Sequence, residues 1–200
     1  MTFTIGTFAK IGGVDCYVAT PVGEYPKDKV LLYLPDALGM QSPNSQVGNG
    51  FGGTRPCSVL TGLATPRPSA HTCPQLLADD FARNGWKTVL VDYFEGEPVP
   101  SEEVFRPGGA ATFDIPAWLA WHPPPQVADI VRRVMAALKA EGVTRFASTG
   151  YCYGGRTGID LGLTNELAVV TTAHPSLISD PRAELEVGVV ELRAMCRRHR

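Results

Sequence analysis

Five short runs of apolar and β-branched residues along the chain predict β-strands. Glycine, proline or charged residues bound these runs, which cover residues 14–20, 30–34, 88–92, 145–149 and 168–173. The last four runs are nearly continuous in apolar character, which is typical of strands covered on both faces of a sheet. Polar and apolar positions alternate in the first run, so we expect that strand to lie at an edge.

Apolar positions with helical spacing lie between these runs. The clearest stretch is 125–142, where a single apolar stripe repeats at the helical period through Val127, Ile130, Val131, Val134 and Leu138. Two shorter helices are predicted over 76–85 and 155–163. The alternation of strands and helices favours an α/β fold with a mostly parallel sheet and helices on both faces.

The composition favours one globular domain over residues 1–200. The chain is 44% hydrophobic with a formal net charge of -2, so neither a second full domain nor a nucleic-acid partner is expected. No apolar run reaches the roughly 18 residues of a membrane span, and the first residues lack a signal-peptide layout. We therefore expect a cytoplasmic protein without a membrane partner. The five cysteines show no metal-ligand spacing, so neither zinc nor a disulfide framework is expected.

Residues 47–75 interrupt the alternating pattern. They are rich in glycine and proline, contain no acidic residue and show no sustained period. Gly48, Gly50 and Gly53 have the spacing of a dinucleotide-binding fingerprint, but that motif needs a strand before it and a helix after it. Since prolines flank the glycines instead, a nucleotide site is not predicted, and the segment is an anomalous insert for a compact domain.

The strongest chemical motif is Gly-Tyr-Cys-Tyr-Gly-Gly at 150–155. It lies directly after a predicted strand and before a predicted helix, which is the setting of a nucleophile elbow with cysteine as the nucleophile. Gly150 and Gly154 meet the need for positions without colliding side chains. The following helix N-terminus favours the reactive thiolate of Cys152. The alternative is a small buried cysteine in a glycine-rich turn.

With this elbow the chain resembles the dienelactone hydrolases of the α/β-hydrolase fold. The resemblance rests on the segments LPDALG at 34–39, VDYFEG at 91–96, GYCYGG at 150–155 and AHPS at 173–176. The stretch FDIPAWLAWH at 113–122 resembles the fungal branch of that family. The match covers most of 1–46 and 76–186.

The resemblance implies a carboxylic ester or lactone hydrolase that acts on a small molecule without a metal or organic cofactor. Cys152 would attack the carbonyl and form an acyl-enzyme, and the backbone N–H groups of Ala37 and Tyr153 would form the oxyanion hole. Gly155 completes the elbow glycines. Asp36 either modulates the thiol or caps a turn. Tyr93 either lines the substrate pocket or packs in the core.

The family also needs a histidine base and an orienting aspartate on later loops. None of His71, His122, His174 and His199 matches that position in this sequence. We therefore expect the C-terminal strands of the fold to be missing and the hydrolase to be impaired. The alternative is a non-catalytic fragment or small-molecule-binding protein of the same fold. The substrate and the oligomeric state cannot be inferred from the sequence.

A common hypothesis accounts for the anomalous segments 47–75 and 187–200. Both begin with Val-Gly, as a translated intron can, and removing the first joins Gln46 to Leu76 in a turn that feeds the predicted helix. We hypothesise two retained introns, the second ending at a premature stop. A lineage-specific loop and a natural truncation are the alternatives, and the transcript sequence would decide between them.

Overall fold

The computed structural model describes residues 6–40, 72–104 and 113–178. Within them a six-stranded sheet has the order β1-β2-β4-β3-β5-β6. The strands are β1 (Thr7–Ile11), β2 (Val14–Ala19), β3 (Lys29–Leu34), β4 (Thr88–Val91), β5 (Arg145–Tyr151) and β6 (Val169–Ala173). β2 pairs antiparallel with both β1 and β4, and the other pairs are parallel. This confirms the predicted mostly parallel sheet.

Helices cover both faces of the sheet, as predicted. They are α1 (Cys73–Arg83), α2 (Ser101–Val104), α3 (Ile115–Trp121), α4 (Pro124–Ala140) and α5 (Tyr153–Leu163). The apolar stripe of α4 is buried in the larger core, together with residues of β3, β4 and α5. α1 packs on the opposite face with Tyr17, Tyr33 and Leu90. The sheet is thus a central layer with a hydrophobic core on each face.

The expectation that the strand at 14–20 forms an edge was wrong. β2 lies between β1 and β4, and β1 forms that edge of the sheet. β1 gave no sequence signal because nearly all of its residues are exposed, so no apolar period marks it. At the other side, β6 pairs only with β5 within the described ranges, and its residues are half-buried or exposed. The prediction that both faces of the strands are covered is therefore confirmed for β3, β4 and β5, and it was wrong for β6.

The end of the segment 47–75 belongs to a regular helix and not to a structureless stretch. α1 begins at Cys73, three residues before the predicted start, and the Gln75 side chain accepts a hydrogen bond from the Thr72 N–H at 3.2 Å. The Thr72 hydroxyl in turn donates to the Met40 carbonyl at 2.7 Å. The contact between Thr72 and Gln75 is part of a capping box, a local arrangement that starts a helix, which is why α1 can start inside the segment. Residues 47–71 and 187–200, with Gly48, Gly50, Gly53, His71 and His199, lie outside the described residues.

Candidate active site

Cys152 occupies the sharp turn between β5 and α5. Its backbone has φ 50° and ψ -111°, a conformation that costs free energy for any residue with a side chain. The side chain is half-buried and its thiol is free. The turn therefore holds a strained, partly accessible cysteine at the N-terminus of an eleven-residue helix.

The three elbow glycines lie where no side chain fits. A Cβ on Gly150 would collide with the backbone of Gly154, and one on Gly154 would collide with the backbone of Leu34 and Pro35. A Cβ on Gly155 would meet the Thr172 hydroxyl. Glycine is thus required at these positions because neighbouring atoms leave no room for a Cβ. At Gly154 this lets the first turn of α5 pack against the end of β3.

The register of the sheet aligns Asp36, Cys152 and His174 in one row. Gly150 of β5 pairs with Leu34 of β3 on one side and with Thr172 of β6 on the other. Asp36, Cys152 and His174 each lie two residues after one of these paired residues. Because β3, β5 and β6 are adjacent and parallel, these three residues emerge side by side at the carboxyl ends of the strands. This edge is where open α/β sheets bind ligands.

The backbone of Cys152 is held by the loop that follows β6. Its N–H donates to the Ala173 carbonyl at 3.2 Å, and its carbonyl accepts from the N–H groups of Ser176 at 3.0 Å and Gly155 at 3.1 Å. In a trans peptide the carbonyl and the next N–H point in opposite directions, so the Tyr153 N–H points away from these donors. No acceptor among the described residues takes that N–H. No sequence motif signals these contacts, which join distant backbone groups.

The turn after β3 orients a second N–H in the same way. The Asp36 carbonyl accepts from the Gly39 N–H at 3.0 Å, so the adjoining Ala37 N–H points to the other side of its peptide. The Asp36 carboxylate accepts from the Leu38 N–H at 2.9 Å. Asp36 therefore caps the turn, one of the two roles left open by the sequence, and a role toward the thiol stays a prediction.

Burial raises the pKa of Asp36 above its ordinary value, and the Leu38 N–H and the charge of His174 partly offset that shift. The folded chain thus holds this proton to higher pH than the unfolded chain. It follows that the free energy of unfolding falls as pH rises from the ordinary value of 3.8 through the raised one. Ionised Asp36 costs the fold stability at neutral pH.

Asp36→Asn is expected to remove this cost while its amide oxygen still accepts from Leu38. The melting temperature of the variant minus that of the wild type should therefore be larger at about pH 7 than at about pH 3. Thermal melts at the two pH values measure the difference. An equal or reversed difference would show that the Asp36 charge does not limit stability.

Tyr93 packs in the core. Its side chain is fully buried, and its hydroxyl donates to the Pro35 carbonyl at the start of the turn that contains Ala37. Burial raises the pKa of Tyr93 well above its ordinary value, so the hydroxyl stays protonated as a donor. Of the two roles left open for Tyr93, the structure supports packing and leaves the side chain no exposed surface for a substrate.

The two described histidines lie in different settings. His174 is exposed in the row beside Cys152, with φ 43° and its ring centroid 6.3 Å from that of Tyr151. His122 caps the C-terminus of α3 and is buried, with its ring centroid 4.7 Å from that of Trp118, on which it stacks. Only His174 therefore has access to the row.

Two further properties concern the described part of the chain. It contains no group of three or more His, Cys, Asp or Glu side chains that could hold a metal ion. It also contains no helix that is long and apolar enough to cross a membrane.

Comparison with known proteins relates this geometry to hydrolases. No protein-family model matches the sequence. The chain is 29% identical over 196 residues to Hydrolase pyvD of Aspergillus violaceofuscus, covering 96% of this chain and 64% of the relative. It is 28% identical over 186 residues to Dienlactone hydrolase 1 of Gibberella moniliformis, covering 90% of this chain and 58% of the relative. The chain thus spans less than two thirds of the length of these relatives.

Solved structures share the fold at low sequence identity. A Klebsiella pneumoniae protein assigned as a dienelactone hydrolase superposes with a TM-score of 0.56 at 16% identity, covering 90% of this chain and 63% of that one. A dienelactone hydrolase-like promiscuous phosphotriesterase from metagenomic libraries gives 0.52 at 17% identity, covering 90% and 64%. These likenesses and the elbow define an α/β-hydrolase fold. In sequence, the chain is similar to hydrolases that include a named dienelactone hydrolase.

Proposed function

We propose that this chain is a thiol-dependent hydrolase of small carboxylic esters or lactones, with Cys152 as the nucleophile. The observation that carries the proposal is a strained, half-buried cysteine beside two backbone N–H groups without acceptors in the described residues. The thiolate would attack the carbonyl carbon, forming a C–S bond as the C–O bond to the alcohol breaks. Water would then cleave the thioester, releasing the acid and restoring the thiol.

The proposed oxyanion hole consists of the N–H groups of Ala37 and Tyr153. Each belongs to a peptide whose carbonyl is already hydrogen-bonded, so its direction is set before any substrate arrives. Gly154 brings the two peptides close, because it lies against the backbone of Leu34 and Pro35. Fixed donors of this kind stabilise the negative oxygen of a tetrahedral intermediate without reorganising.

Cys152 lies at the positive end of the dipole of α5. It is the N-cap residue, directly before Tyr153 at the start of α5, and the partial positive charge at a helix N-terminus stabilises an anion there. Asp36, one strand away in the row, is the group that we propose to modulate this thiolate. Its charge disfavours a neighbouring anion, and protonation of Asp36 removes that effect.

Proton transfer is the weaker part of the proposed cycle. Among the described residues, neither His122 nor His174 has a hydrogen bond to the Cys152 thiol. Thioester hydrolysis needs a base to activate water, so we expect acylation by an activated ester to be faster than deacylation. A binding protein of the same fold is the competing function, and it would form no acyl adduct at all.

The relative reactivity of Cys16 and Cys152 tests the nucleophile. Burial and the neighbouring carboxylates of Asp15 and Asp92 raise the pKa of Cys16 to about 12, so its reactive thiolate is scarce at neutral pH. We expect iodoacetamide to label Cys152 at least about tenfold faster than Cys16 in the folded protein, since the thiolate is the reacting form. Peptide mapping after timed quenching gives the two rates.

Denatured protein is the control for this comparison. Without the fold, the two thiols should react at similar rates, because burial and the helix N-terminus no longer distinguish them. If Cys16 reacts faster than Cys152 in the folded chain, the nucleophile assignment is wrong.

A further inference from the structure

One buried aromatic cluster connects to both segments that carry the proposed oxyanion donors. It consists of Tyr93, Phe94, Trp118 and Tyr153. Phe94 is central, with its ring centroid 4.6 Å from that of Tyr93, 4.9 Å from that of Trp118 and 5.3 Å from that of Tyr153. The rings of Tyr93 and Tyr153 lie 6.3 Å apart. Edge-to-face packing of this kind fixes ring positions in a core.

Each tyrosine of the cluster connects by its hydroxyl to a backbone carbonyl. Tyr93 donates to Pro35, two residues before Ala37. Tyr153 donates to His122, at the C-terminal cap of α3, and its own backbone N–H is the second proposed donor. Both hydroxyls are buried, and burial raises the pKa of both tyrosines, so they remain protonated donors.

These contacts are independent of the turns that orient the two N–H groups. The turns fix the direction of each N–H through its own peptide, whereas the cluster fixes where the two peptides lie relative to each other. An oxyanion hole needs both, because its donors must meet one oxygen at hydrogen-bond distance.

We propose that Tyr93 and Tyr153 are positioning residues that hold the N–H groups of Ala37 and Tyr153 at the separation an oxyanion requires. The inference rests on the proposed function, since it assumes that these N–H groups form the oxyanion hole. Neither tyrosine hydroxyl touches the substrate. Each acts through the backbone it holds.

Propanal tests this without any need for turnover. The Cys152 sulfur adds to the aldehyde carbon to form a C–S bond, and the thiol proton passes to the former carbonyl oxygen, giving a thiohemiacetal. In the adduct, this hydroxyl oxygen would accept hydrogen bonds from the N–H groups of Ala37 and Tyr153. The concentration of propanal that protects Cys152 from iodoacetamide therefore measures how well these two donors hold the adduct. The alkylation rate without propanal measures only the reactivity of the thiol, because displacement of iodide places no oxygen in the oxyanion hole.

Tyr153→Phe and Tyr93→Phe each remove one hydroxyl and keep the ring. We expect each variant to need about tenfold more propanal for the same protection, a fraction of the loss seen when an oxyanion donor is removed outright. The alkylation rate without propanal should stay within about twofold, because the elbow and α5 are unchanged. Tyr17→Phe is the matched control, since its buried hydroxyl donates at 3.0 Å to Asp79 on the opposite face of the sheet.

The outcomes separate the two proposals. If propanal protects the wild type but both phenylalanine variants are protected equally well, the positioning role is wrong and the proposed function stands. A change of the same size in Tyr17→Phe, or a parallel change in alkylation rate, would also overturn it, because general loosening would then explain the loss. If propanal does not protect the wild type, the oxyanion hole itself fails.

Discussion

Cys152→Ala is expected to abolish the release of p-nitrophenol from p-nitrophenyl acetate. The wild-type chain should show a burst that approaches one p-nitrophenol per chain, followed by a slower phase limited by deacylation. Removing the sulfur removes the covalent route, so the rate should fall by at least about a thousandfold even though the oxyanion donors remain. Stopped-flow absorbance measures both the burst and the slower phase.

Cys16→Ala is the control for this variant. Cys16 is fully buried in β2 and has a raised pKa, so its removal should leave the burst amplitude unchanged. An unchanged burst in Cys152→Ala would mean that another group carries the acyl chain. A burst lost equally in both variants would point to unfolding, which far-ultraviolet circular dichroism distinguishes.

Gly154→Ala is expected to cause the largest loss of stability. The new Cβ would overlap the carbonyls of Leu34 and Pro35, which are backbone atoms that cannot rotate away. Relief would require α5 to separate from β3, so we expect a loss of about 3 kcal/mol, at the upper end for overpacking in a core. This corresponds to a fall of roughly 6–12 °C in melting temperature.

Gly158→Ala is the matched control within the same helix. A Cβ there would lie 3.0 Å from the Ser148 hydroxyl, which can rotate, and alanine favours the helix by about 1 kcal/mol over glycine. Its melting temperature should stay close to that of the wild type. Equal melting temperatures for Gly154→Ala and the wild type would show that the elbow tolerates a side chain.

The sequence predicted the elements that bury a regular apolar face. β3, β4 and β5 are buried along most of their length because helices cover both of their faces, and α4 shows its period because one stripe is buried. The elbow was also visible, since its glycines occupy positions where an added side chain would collide with neighbouring atoms. Steric constraints at a turn and regular burial of one face can therefore be recognised in the sequence.

Other features of the structure could not be recognised in the sequence. β1 and α3 were missed because each buries few side chains, with Trp118 the only buried residue of α3. The tyrosine contacts join residues 58 and 31 positions apart, and their acceptors are backbone carbonyls that every residue type carries. The Ser176 N–H on the Cys152 carbonyl is of the same kind. Hydrogen bonds to backbone carbonyls across long sequence separations cannot be predicted from residue types.

The mass of the acylated chain shows directly whether Cys152 is the nucleophile. Protein quenched in acid soon after mixing with p-nitrophenyl acetate should carry one acetyl group, and peptide mapping should place it on Cys152 as a thioester that hydroxylamine removes. Because the account assigns covalent catalysis to this thiol, Cys152→Ala should remain unacetylated under the same conditions. A wild-type chain without an acetyl group on Cys152, or with the same acetylated site in both proteins, would contradict the account.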